Sequence, residues 1–134
     1  MKKFFGYMFF GISVLPILLP IFFSFVALFT KKGFLYDYLM PAELIGFTII
    51  GSIGIIFFAL KKHVMVKKLI YFLTLEIASI LFAQIYSVAA GLAHGDTQPV
   101  GIHAWIIGIC IVLWHLFLIL LCIENFKVLK KSLR

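Results

Sequence analysis

Few side chains in this 134-residue chain could ligate a metal or move a proton: five acids, four histidines and two cysteines. They fall into two groupings. The first is Glu76 with His115, each eight residues inside the end of a long apolar run that closes at Lys68 or Ile123 respectively. In antiparallel helices both would lie roughly 12 Å from one boundary, at ~1.5 Å per residue. A shared hydrogen bond between them is the expectation, either as a proton- or ligand-binding centre or as a structural tie. Gln84 is the third polar side chain deep in these runs. The second grouping is His94, Asp96 and His103, which Glu43 (or Asp37) from another loop could complete as a divalent-metal or quinone site. Their spacing matches no standard zinc pattern, and Gly95, Asp96 and Pro99 serve equally well as turn formers.

Other chemistry is poorly supplied. No Ser-His-Asp set, Gly-rich phosphate loop, close carboxylate pair or CxxC is present, so no enzyme activity is expected. Cys110 and Cys122 would stand roughly 18 Å apart along a helix, too far for a disulfide. His115 has no second histidine at matched depth to hold a haem. No cofactor is predicted.

The elements that position these residues follow from composition. Hydrophobic residues make up 64% and charged ones 13%, against about 45–50% and about 25% in soluble domains. Lipid must therefore solvate most of the chain. Four apolar runs, at about residues 4–30, 42–60, 69–91 and 103–123, are each long enough to cross a bilayer. Backbone groups in lipid must be satisfied internally, so the runs should be helices. A basic tail, 124–134, follows. Short connections make sequence neighbours spatial neighbours. The expected fold is thus an all-α membrane protein: one domain of four antiparallel transmembrane helices in an up-down bundle. Lys2 and Lys3 before an apolar run imitate a signal peptide, but no small-residue A-x-A pair follows, and a retained helix is expected. Pro16 and Pro20 should kink it.

Ten of the twelve basic residues would share one side of such a bundle: Lys2, Lys3, Lys61, Lys62, Lys67, Lys68, Lys127, Lys130, Lys131 and Arg134. Only Lys31 and Lys32 would lie opposite. Both termini are therefore expected in the cytoplasm, in the plasma membrane, with a bacterial inner membrane the expected setting. The net charge of +7 sits in clusters at the ends of apolar runs, which suits anionic lipid and argues against nucleic acid. From Lys61 to Lys68 and from Lys127 to Arg134 these residues are expected lipid contacts. If the last helix continues, Lys127, Lys130, Lys131 and Arg134 would share one face.

Small residues should mark helix interfaces. The third run offers Ser79, Ala83 and Ser87 beside Glu76. The second offers Thr48, Gly51, Ser52 and Gly54, and the fourth Ala104 and Gly108 on the face of His115. With almost no chain outside the membrane, the leading expectation is a non-enzymatic accessory, assembly or immunity-type protein. It would work by helix contacts on a membrane-protein partner or its own copies. The alternatives are a small oligomeric transporter or channel lined by Glu76, Gln84 and His115, and the outer metal or quinone site.

Overall fold

The computed structural model describes residues 2–29, 44–92 and 100–133, and these form four helices: α1 (Lys2–Phe29), α2 (Ile45–Lys61), α3 (Lys67–Ala89) and α4 (Ile102–Ser132). α1 runs unbroken through Pro16 and Pro20, both buried against the other helices. α1, α3 and α4 are long and apolar enough to cross a membrane. α2 has 17 described residues, about 26 Å of helix, at the lower end of what spans hydrocarbon.

α2 and α3 stop in the same way. The Val64 N–H reaches Ala59 O at 2.9 Å and the His63 N–H reaches Leu60 O at 3.1 Å. At the end of α3, Leu92 and Gly91 repeat the pattern on Ser87 O and Val88 O. These are paired C-terminal caps whose first residue past the cap must be left-handed. Gly91 meets this at φ 70 without a Cβ, whereas His63 holds φ 53 with one.

α1 lies against α2, α3 lies against α4, and α4 also reaches α1 and α2. A Cβ on Gly51 would meet Ser13, one on Gly54 the Phe9 ring, and one on Gly6 the Leu129 side chain. Near the opposite end, Tyr86 of α3 meets His103 of α4. Sequence neighbours therefore run antiparallel, and the start of α1, end of α2, start of α3 and end of α4 share one end of the bundle. One apolar cluster at that end joins Ile55, Ala59, Leu69, Leu121, Val128 and Leu129. A second, further along, joins Ile80, Trp114, Leu118 and Cys122.

The helix boundary expected near Ile123 lies nine residues further on, at Ser132. The supposed tail is amphipathic: Asn125, Val128, Leu129 and Ser132 are buried while Lys127, Lys130 and Lys131 are exposed. Burial of that stripe against α1, α2 and α3 is what carries the helix on.

Candidate functional site: a polar layer in the bundle core

Where the two apolar clusters meet, all four helices contribute polar groups. α1 brings Ser13, α2 brings Thr48 and Ser52 one turn apart, α3 brings Glu76, and α4 brings Cys122 and Asn125. Ser13, Thr48, Ser52, Glu76 and Asn125 are fully buried. The Asn125 amide donates to Ser52 Oγ at 3.0 Å, linking α4 to α2. The Cys122 thiol points to the Ser13 carbonyl at 3.5 Å, linking α4 to α1. Ser13 Oγ itself donates back to Phe10 O at 2.8 Å, the usual way a serine satisfies itself inside a helix.

Thr48 and Cys122 are the polar side chains that act on Glu76 within the layer. The Thr48 hydroxyl flanks the carboxyl outside hydrogen-bond geometry, and Thr48 Oγ1, both Glu76 oxygens and Asn125 Oδ1 have no hydrogen-bond partner among the described residues. Buried polar atoms are nearly always satisfied, so several orphans in one layer mark it as unusual. The arrangement can accept protons or hydrogen bonds at the carboxylate.

The expected hydrogen bond between Glu76 and His115 is not formed. His115 Nδ1 bonds Ile111 O one turn back at 2.8 Å, and its ring packs edge-on to Trp114 with centroids 4.7 Å apart. Trp114, Leu118, Cys122 and Asn125 hold the buried stripe of α4, and His115, one residue out of phase at 100° per residue, is carried to its flank. Gln84 also departs from the expected buried position: it is exposed on the outer face of α3 among Leu81, Ile85 and Val88. The inward stripe of α3 is Leu69, Glu76, Ile80 and Ala83. Ser79 sits at its edge, donating to Glu76 O at 2.8 Å, with Ser87 also half-buried.

Of the small residues of α2, Thr48, Gly51 and Ser52 are buried and Gly54 lies under Phe9. Those of α4 differ: Ala104 is half-buried, and no atom lies within 4 Å of where a Gly108 Cβ would stand. Of the outer metal candidates, Glu43, His94 and Asp96 lie outside the described residues. His103 shares a 2.7 Å hydrogen bond with the Tyr86 hydroxyl. Among the described residues no group of three metal-ligating side chains occurs. Arg134 also lies outside the described residues.

Asn125, Ser13 and Trp114 escaped the sequence reading, and Cys122 entered it only as one of two cysteines too far apart for a disulfide. Asn125 fell in the supposed tail. Its spacing from Leu118, Leu121 and Cys122, three to four residues at a step, was the signal that it continues the buried stripe.

The class these features define is an all-helical bundle with three helices apolar enough to cross a membrane and one polar layer through its core. No protein family, curated protein or solved structure matches the chain.

Proposed function

We propose that this is a non-enzymatic, multi-pass inner-membrane protein that acts through its helix faces on another membrane protein, as an accessory, assembly or immunity-type component. Gln84 carries the reading. Its amide has two donors and two acceptor sites on an otherwise apolar outer surface, and such a group in lipid is satisfied by a neighbouring helix. An apolar groove between α3 and α4, about 500 Å³ and lined by Leu75, Ala78, Phe82, Ile109, Leu113 and Phe117, is a separate feature on the side of α3 turned away from Gln84. A partner helix can lie in it without displacing the core.

Cytoplasmic termini belong to the same proposal. Lys3, Lys61, Lys62, Lys67, Lys68, Lys127, Lys130 and Lys131 gather at the end of the bundle shared by the starts of α1 and α3 and the ends of α2 and α4, which supports the positive-inside assignment. The test is affinity capture of the full chain from detergent-solubilised membranes, beside Gln84→Leu. A partner or second copy retained by the parent chain and lost from the variant supports the proposal. Equal capture by both sinks it, and because Gln84 is exposed the substitution leaves the fold intact.

A second reading rests on Glu76. A carboxylate sealed in a membrane bundle with both oxygens unpartnered suits a proton- or cation-binding step in a transporter. Gln84, Glu76 and His115 lie on different faces, so the path would run through the polar layer alone. Flux into liposomes that Glu76→Gln abolishes would favour this reading over the first.

A further inference from the structure

The concavity between the start of α3 and the end of α4 differs from the rest of the surface. Lys67 and Lys68 line it from α3, and Lys127 and Lys131, one turn apart, from α4, with Glu124 between them. Its volume is about 290 Å³, and its apolar surface comes from the exposed Met65 side chain, with Leu69 and Val128 buried beneath. A shallower concavity adjoins it, sharing Lys67, Lys68 and Glu124 and adding Tyr71 and Phe72. Glu124 pairs with Lys127 at 2.8 Å. Lys67, Lys68 and Lys131 have no carboxylate at ion-pair distance among the described residues.

Gathering like charges on two helices is unfavourable unless an anion offsets them. Ammonium groups bind phosphate as point charges without a fixed bite, which suits flexible lysines. The apolar surface separates two sources of phosphate. Free phosphate gains nothing from Met65 or the methylene stems of the lysines, whereas a phospholipid can lay the roots of its chains against them with its phosphate among the ammonium groups. The lysines also stand where the exposed apolar flank of α3, Ile70 and Tyr71, begins.

We infer that this groove is a specific site for an acidic phospholipid, its phosphate held among Lys67, Lys68 and Lys131. The other basic residues are bystanders. Lys61 lies over the Phe57 ring at 4.3 Å, and neither Lys62 nor Lys130 lines the groove.

The test compares purified full-length protein with two charge-matched double variants, Lys67→Gln with Lys131→Gln and Lys62→Gln with Lys130→Gln. Each is titrated with diphosphatidylglycerol in neutral detergent micelles, and bound lipid is counted by native mass spectrometry. Each groove lysine is worth about fivefold in affinity at a membrane surface, so the first pair should weaken binding about 30-fold. The second pair lies outside the groove and should weaken binding far less. Glu124→Gln removes the competing carboxylate and should tighten binding. Equal loss from both pairs would mean a diffuse basic surface and overturn the inference. So would weaker binding by Glu124→Gln, or inorganic phosphate displacing the lipid at equal phosphate concentration. The inference rests on this end of the bundle standing at a bilayer surface. Alkaline extraction reads that separately, because failed insertion releases the chain whereas loss of the lipid site does not.

Discussion

Asn125 donates its side-chain amide to the Ser52 hydroxyl across 3.0 Å, and both residues are fully buried. The bond sets the register of α4 against α2, two helices separated in sequence by all of α3. It also leaves Asn125 Oδ1 unpartnered. Ser52→Ala should therefore strand the amide donors as well and lower stability by about 1–2 kcal/mol, near the upper range for hydrogen bonds between membrane helices. Thermal unfolding in mild detergent checks this, and Ser52→Thr, which keeps a hydroxyl, should restore part of the loss.

The α1–α2 interface should be intolerant of a single methyl. A Cβ on Gly51 would stand 2.7 Å from the Phe9 carbonyl and from Ser13 backbone nitrogen, and backbone cannot step aside as a side-chain tip can. Gly51→Ala should destabilise by about 1–3 kcal/mol. Gly108→Ala, with open space around it, should be neutral or stabilising by up to about 1 kcal/mol through helix propensity. The pair of melting curves separates a packing glycine from one that only looks like it in sequence.

Glu76 is expected to oppose stability. Replacing a buried, unpartnered carboxyl by an apolar side chain of similar length removes a desolvation cost of about 1–3 kcal/mol. Glu76→Met should raise the unfolding midpoint, and a retained Glu76 would then be explained by function. A fall in the midpoint would instead make the carboxyl a structural tie.

His63 offers a local test. Its φ of 53 carries a Cβ into the left-handed region, where an L-residue costs roughly 1–2 kcal/mol. The equivalent position after α3 is Gly91. His63→Gly should stabilise the α2–α3 turn by about 1 kcal/mol, read by slower amide exchange at the end of α2.

The two tryptophans should report the bundle independently. Trp114 is fully buried between the helices and Trp105 is 75% exposed at the start of α4. With brominated lipid, quenching should vanish in Trp105→Phe and persist in Trp114→Phe. Trp114→Ala, which empties the centre of the second apolar cluster, should cost about 3–5 kcal/mol.

Composition and run length were enough for four helices in antiparallel sequence order, because side-chain hydropathy and the need to close backbone hydrogen bonds are local properties. The burial of Glu76 was legible for the same reason: an acid inside an apolar run has to face protein. So was the packing role of Gly51 and Gly54. That His115 does not meet Glu76 was not legible. Equal depth in two helices sets the height of a side chain and leaves its azimuth free, and a step of 100° turns His115 aside while its neighbour Trp114 enters the core. Gln84 misled in the same way, being one residue beyond the Ala83 stripe. The end of α4 was left open between a tail and a continuing helix, because lysines at the surface mask a buried stripe of Asn125, Val128 and Leu129. Which side chains meet depends on how each helix is rotated about its axis. That rotation is decided by packing among all four helices together, and only the tertiary structure contains it.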